Sequence, residues 1–325
     1  MTISRSFLLV AAAFVLAHGA AARAESPYPS RAVQLVVTVP PGGAADFVAR
    51  IVGAKLADAL GQSVVINNRA GAGGTVAAAS VAKADPDGYT LLLNTIATHG
   101  IGPHLYPNLG YDPVKDFAPI ILLTKLPLVM TIDAAVPARS VADVIALARA
   151  RPGALAFASS GSGGAPHLAG ELFKSVTGTD LLHVPYRGSG PAVLDVAAGR
   201  VAIMFDAMPA LLPFVVGGRL RPLAAASAER NRLLPNIPTF AELGYAGMDI
   251  SLWYGVVAPA GTPQPIVRRL NAELGKILDL PDIRKSLADQ GAEPQGGTPE
   301  QYAAFMREES ARWRAVVTQA GIKPD

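Results

Sequence analysis

Cysteine is absent from the 325 residues. The chain therefore has no route to a disulfide, a thiolate nucleophile or a Cys-based metal site. Its stability must come from a packed core, which a chain of this length can build. Charge is also scarce, at 16% of residues, with 28 basic against 25 acidic side chains. Aromatics make up 6%, and no basic tract interleaves with them, so nucleic-acid binding has no support. Long apolar runs are missing too. The one near the N-terminus, Phe7 to Ala17, is shorter than the ~20 residues that cross a bilayer, and no later stretch reads as transmembrane. His99, His104, His167 and His183 show no metal-ligand spacing, so no metal and no cofactor are expected. Gly71-Ala-Gly-Gly-Thr-Val lacks the last Gly of a dinucleotide fingerprint, and no phosphate-loop pattern occurs.

What is present begins with an export signal. Arg5 supplies a positive n-region, Phe7 to Ala17 an apolar h-region, and Ala22-Arg23-Ala24 a small-x-small pattern. Cleavage after Ala24 leaves Glu25 as the mature start. Arg5 and Arg23 account for two of the three excess positive charges, so the exported chain is nearly neutral.

Half of the residues are hydrophobic, enough for two domains. Arg31 to Val39 reads as a buried strand, and Asp46 to Leu60 as a helix with Phe47, Val48, Ile51, Val52, Leu56 and Leu60 on one face. Strands at Ser63–Asn67 and Tyr89–Asn94 flank an Ala-rich helix at Val76–Ala84. This β-α-β-α-β rhythm indicates a mostly parallel sheet covered by helices. Ala118 to Ile132 is interrupted by Pro127, as expected of a strand that leaves one sheet and enters another. A second β/α set follows: strands at Ala154–Ala158, Leu181–Val184, Val201–Phe205 and Leu220–Ala226, with helices between them. Leu252 to Ala258 is the candidate for the return crossing. Three helices close the chain, at Pro265–Leu278, Pro281–Asp289 and Pro299–Ala320. The expected fold class is α/β, two lobes joined by two crossing strands. Lobe one takes residues 25–124 and 254–325, lobe two 125–253.

Three Gly-rich loops connect strand to helix: Pro41 to Asp46, Gly71 to Thr75, and Ser159 to Gly164. A helix start offers free N–H donors and partial positive charge, and Gly lets an anion approach the backbone. In open α/β sheets ligands sit beyond the carboxyl ends of the strands. The set predicts an anion site of backbone amides and hydroxyls formed by the first and third loops, and the middle loop either joins it or serves packing alone. Thr95, at the end of its strand, joins the candidates. Tyr186, Arg187 and Gly188 follow another strand, and Arg187 is either a carboxylate clamp or an exposed turn residue. Asp206 either orients a water or ligand amine or caps the next helix. His167 is a capping or packing residue at its helix start. Trp253 and Tyr254 are core or cleft wall. No G-x-S-x-G elbow surrounds Ser160 or Ser162, so a hydrolase has no nucleophile motif and no enzyme is expected.

Pro40-Pro-Gly-Gly-Ala-Ala-Asp46 with Arg50, Asn68 to Thr75, Pro86-Asp-Gly-Tyr-Thr-Leu-Leu92, Thr98-His99, Tyr111 to Phe117, Ala158 to Gly164 with His167, Val184-Pro-Tyr-Arg-Gly188, Pro238-Thr239, and Trp253-Tyr-Gly with Ala258 to Pro263 resemble the Bug family. That family comprises the substrate-binding components of tripartite tricarboxylate transporters. The resemblance implies a periplasmic clamshell, monomeric, that takes a small carboxylate to integral-membrane transporter subunits. It also implies that Gly42, Gly43, Ala44 and Asp46 of the first loop, and Ser159, Ser160, Gly161, Ser162 and Gly163 of the second-lobe loop, hold a carboxylate. Two departures bear on the ligand. Asp206-Ala-Met-Pro209 lacks the Asn that often follows this Asp, and Thr98 to Pro103 lacks a polar residue before its Pro. Both make the distal pocket less polar, and a ligand with an apolar or aromatic body is expected. A protein that feeds a sensor kinase stays open as an alternative.

Overall fold

The computed structural model describes residues 28 to 321. The export signal and its cut after Ala24 lie outside the described residues. The first lobe opens with β1 (Val33–Val37), α1 (Ala44–Leu60), β2 (Val64–Asn68), α2 (Thr75–Ala82) and β3 (Thr90–Thr95). A π-helical turn over Ile96–Ile101 then runs into the short α3 (Gly102–Leu105). β1 pairs in parallel with β2 on one side and β3 on the other. The β-branched and leucine side chains of β1 and β3 are almost fully buried, as expected for strands covered on both faces.

β4 (Phe117–Asp133) is the long strand that serves two sheets. Its first part, Phe117 to Pro127, pairs antiparallel with β9 (Ser251–Pro259), and its second part, Leu128 to Ile132, with β7 (Ile203–Ala207). Pro127 has no N–H to give a ladder, so the interruption falls where the strand changes partners. The second lobe holds α4 (Val141–Ala150), β5 (Ala156–Ser159), α5 (Ala165–Thr177), β6 (Leu182–Pro185), α6 (Ser189–Ala197), α7 (Met208–Val216) and β8 (Leu220–Ala226). Here β5 lies parallel between β6 and β7, and β4 runs antiparallel to β7 and β8. Each lobe thus pairs a parallel triplet with antiparallel crossing strands.

β9 lies wholly in the first sheet, between β3 and β4. The return passage is made just before it, at Ile250, whose carbonyl accepts from Leu128 and whose amide donates to Ala226. The sheet therefore changes at Pro127–Leu128 and at Ile250–Ser251. The expected lobe limits, 124/125 and 253/254, sit close to these points and remain a proposal about rigid bodies.

The chain ends with α8 (Gln264–Asp279), α9 (Pro281–Ala288), β10 (Glu293–Gly296) and α10 (Pro299–Ala320). The sequence shows no strand signal for β10, which pairs antiparallel with β4. α10 is held to the crossing strands by buried polar contacts. The Glu309 carboxylate accepts from the indole N–H groups of both Trp253 and Trp313, at 2.9 and 3.0 Å. Tyr302 donates to Asn94 at 2.7 Å. Trp253, Tyr302 and Trp313 are at most 1% exposed. Trp253 and Tyr254 are thus core residues of the crossing region.

Candidate functional site

β1 and β3 are parallel, so the loops that leave their carboxyl ends lie on one edge of the first sheet. β5, β6 and β7 are parallel too, which places the Ser159–Gly164 loop, Tyr186–Gly188 and Asp206 on one edge of the second. The lobes touch at this edge. A Cβ on Gly163 would lie 2.0 Å from Leu105 Cδ2, so the second-lobe loop meets α3 of the first lobe.

Several helices start at this edge without a side-chain cap. The residues preceding α1, α2, α5, α6 and α7 are Gly43, Gly74, Gly164, Gly188 and Ala207, and none makes a side-chain capping bond. Ser140 and Thr298 complete capping boxes at α4 and α10, while α8 and α9, which start away from this edge, also lack a side-chain cap. The helix starts at the cleft therefore keep donors and partial positive charge for another partner. That arrangement suits an anion.

In the first loop, the Asp46 carboxylate is turned back on its own segment. Oδ2 accepts from the Gly42 amide and Arg50 Nε, both at 2.9 Å, and Oδ1 accepts from Asn68 Nδ2 at 2.9 Å. The Arg50 bond, followed by those from Gly42 and Asn68, holds its pKa down at about 2. Asp46 is 4% exposed, while Gly42, Gly43 and part of Ala44 face solvent. Asp46 shapes the turn, and the glycines line it. The middle loop packs: a Cβ on Gly74 would lie 2.8 Å from Thr38 Cβ and 3.0 Å from Thr98 Cγ2. Gly74 has φ +91°, so a side chain there meets strain as well as crowding. Thr95 and Thr98 form a capping box for the π-helical turn. Thr95 is buried there and bonded to Thr98.

In the second lobe, Ser159 is fully buried. Its Oγ lies 2.7 Å from His183 Nε2 and 3.1 Å from the Gly161 carbonyl. The distance resembles a nucleophile–base pair, but a serine with no exposed surface cannot meet a substrate carbonyl. Ser160 and Ser162 are half-buried in the same loop. The Ser160 carbonyl accepts from the Gly188 amide and the Ser159 carbonyl from the Tyr186 amide, which joins the two loops. Tyr186 Oη donates to Asp195, itself paired with Arg200, so its hydroxyl points at α6. Arg187 is exposed. His167 Nδ1 accepts from the Gly163 amide at 2.9 Å.

Asp206 is 3% exposed. Oδ1 accepts from the Ala207 amide at 2.7 Å, and Oδ2 is buried with no hydrogen-bond partner. Burial raises its pKa to about 6, partly offset by the Ser189 hydroxyl and the Ala207 amide. His99 is the other buried orphan: its Nε2 has no partner and burial lowers its pKa to about 3. It packs on Tyr111 and Phe117. Among the described residues, no group of His, Asp and Glu side chains could hold a metal ion. No helix among them is long and apolar enough to cross a membrane.

Sequence reasoning missed His183. The side chain is tied to Ser159 across 24 residues, and only the juxtaposition of β5 and β6 reveals it.

Residues 48–322 match the tripartite tricarboxylate transporter family receptor, TctC. Protein BugT of Bordetella pertussis is 40% identical over 318 residues, 97% of this chain and 98% of BugT. A protein of R. palustris solved with adipate is 41% identical with a TM-score of 0.85, covering 92% of this chain and all of that one. MatC from Rhodopseudomonas palustris, solved with bound malate, is 36% identical with a TM-score of 0.80, over 89% of this chain and all of MatC.

Proposed function

We infer, for a chain that belongs to the tripartite tricarboxylate transporter receptor family and is thereby a periplasmic solute-binding protein, that its cleft captures a small carboxylate with an apolar body for integral-membrane transporter subunits. The observation that carries this reading is the set of helix starts without side-chain caps, contributed by both lobes to one edge. Backbone donors at such starts favour an anion, and closure of the lobes strengthens those bonds by excluding water. The Gly43 and Ala44 amides would take one side of the carboxylate, with Ser160 and Ser162 on the other, while Gly42, Gly161 and Gly163, whose amides are given to Asp46, Ser159 and His167, shape the two loops. Asp46 and Ser159 hold the two loops in shape. Arg187, exposed after β6, would clamp an oxyanion. One chain supplies both halves, so a monomer suffices.

The apolar body rests on the sequence: Ala-Met follows Asp206 where the family often has Asn, and the segment Thr98 to Pro103 has no polar residue directly before its Pro. The relatives solved with adipate and with malate bring dicarboxylates of different polarity into consideration. The unpartnered Asp206 Oδ2 opposes a second full negative charge close to it. A thermal-shift screen of residues 25–325 against adipate, malate, citrate and aromatic acids tests the proposal. Adipate or an aromatic acid is expected to raise the unfolding midpoint, since ligand at ~100 times its Kd stabilises by ~2.7 kcal/mol. A response to citrate alone would refute the apolar body, and silence across the set would refute carboxylate capture.

A further inference from the structure

The Ser159–Gly164 loop is held at both ends by imidazoles. His183 Nε2 meets Ser159 Oγ at 2.7 Å, and His167 Nδ1 accepts from the Gly163 amide at 2.9 Å. The two rings lie face to face, 3.7 Å apart and 6° from parallel, and Phe157 stacks on His183 at 4.9 Å. One aromatic stack at the foot of the loop thus ties β5, β6 and α5 together. We propose that His167 and His183 are positioning residues for the ligand loop, and that the loop keeps its shape only while His167 is neutral.

An imidazole nitrogen accepts a hydrogen bond only with a bare lone pair. The Gly163 bond therefore fixes His167 with Nδ1 unprotonated and the proton on Nε2. Protonation turns Nδ1 into a second donor 2.9 Å from the Gly163 N–H, and the two repel. Gly163 cannot adjust freely. Its φ is +73°, and its Cα is pressed against Leu105 of the other lobe. A released Gly163 thus loosens both the loop and the contact between the lobes.

The surrounding charges favour the neutral form. His167 is the third residue of α5, where the helix start disfavours a cation. Two imidazolium rings 3.7 Å apart would repel, so the stack disfavours charging both. Glu171 Oε1, 3.8 Å from His167 Nε2, pulls the other way, but Lys174 pairs with that carboxylate at 2.9 Å. From α3, His104 turns to Ser310 of α10. From α10, Glu309 is taken up by Trp253 and Trp313. From α6, Asp195 is held by Tyr186 and Arg200. The one ionisable residue of β7 is Asp206, buried and bonded to the Ala207 amide.

The ligand consequence rests on the carboxylate reading of this loop, whereas the brace itself can be read without ligand. The experiment is a ¹H–¹⁵N titration of residues 25–325, carried downward from about pH 8 until the His167 ring nitrogens report protonation. The Gly163 amide is expected to shift with the same midpoint as the His167 ring nitrogens. His167→Asn keeps an acceptor near the Nδ1 position but does not titrate, and should abolish that shift. A Gly163 amide that ignores the His167 midpoint, or that shifts equally in His167→Asn, overturns the proposal. Adipate titrations supply the second reading. His167→Ala should bind at least roughly tenfold more weakly, and His167→Asn within about threefold of the parent, since one hydrogen bond to the loop is at stake. If the parent protein fails to bind adipate, the ligand reading falls and the Gly163 shift still decides the brace.

Discussion

Asp46 shows how a carboxylate can serve an anion site without touching the anion. Its three donors come from Gly42, Arg50 and Asn68, so its charge is compensated inside the loop. Asp46→Ala is expected to weaken carboxylate binding by roughly tenfold or more, because the Gly42–Gly43 turn loses its tether. The fold should persist, as the released Arg50 guanidinium already reaches solvent; calorimetric titration and circular dichroism check the two halves. The pKa of Asp46 falls from 3.8 to about 2 on folding. Its contribution to stability is therefore complete above the unfolded value and is lost as pH falls through about 2. Asp206 has the opposite sign. Its pKa rises to about 6, so the folded state binds the proton more tightly and stability declines as pH rises from about 4 through 6. Asp206→Asn should raise the unfolding midpoint at pH 8 by the equivalent of about 2–3 kcal/mol and leave it unchanged near pH 4. A midpoint that drops at both pH values would show that the carboxylate is needed for packing.

Elements are held in place where small residues let large ones approach. A Cβ on Gly255 would lie 2.1 Å from Tyr302 Oη and 2.8 Å from the Ile121 carbonyl. The β9 backbone thus leaves room for the tyrosine of α10 to reach Asn94. Gly255→Ala is expected to cost about 1–3 kcal/mol in chemical denaturation, the usual range for an overpacked core. Glu309 performs a similar task through charge: one oxygen accepts from Trp253 of β9 and from Trp313 of its own helix, so the Trp253 bond ties α10 to β9. Glu309→Leu would leave both buried N–H groups without an acceptor and should cost more than Glu309→Gln, which retains one amide oxygen. Equal losses in the two variants would show that packing rather than the acceptor matters.

At the scale of the molecule, the cleft lies between two sheets that share β4 and meet again at Leu105 and Gly163. Among the described residues the chain passes between sheets at Pro127–Leu128 and near Ile250, and opening of the cleft is expected to bend it at these two points. Gly163→Ala places a methyl group 2.0 Å from Leu105 Cδ2 at a positive φ. It should keep the lobes apart, seen as a larger radius of gyration in solution scattering with adipate and as weaker binding. Leu105→Ala in the same chain should restore closure in part, leaving only the backbone strain of roughly 1 kcal/mol. No recovery would mean that the contact does not limit closure.

The sequence by itself determined the elements and their order. The apolar run through Pro127 marked the strand that changes sheets, and the Gly-rich turns marked the helix starts at the cleft, because strand, turn and helix preferences are set by neighbours within a few residues. It did not reveal β10, whose four residues include Pro294 and gain their pairing only from β4. Nor did it show that Asp46 faces its own loop, that the Tyr186 hydroxyl turns to Asp195, or that His183 supports Ser159. Those assignments depend on which of several polar groups, from 4 to 24 residues away, a side chain meets once folded, and Tyr302 and Asn94 meet across 208. Only tertiary packing fixes which of several polar partners a buried group can reach, since burial removes water as the alternative.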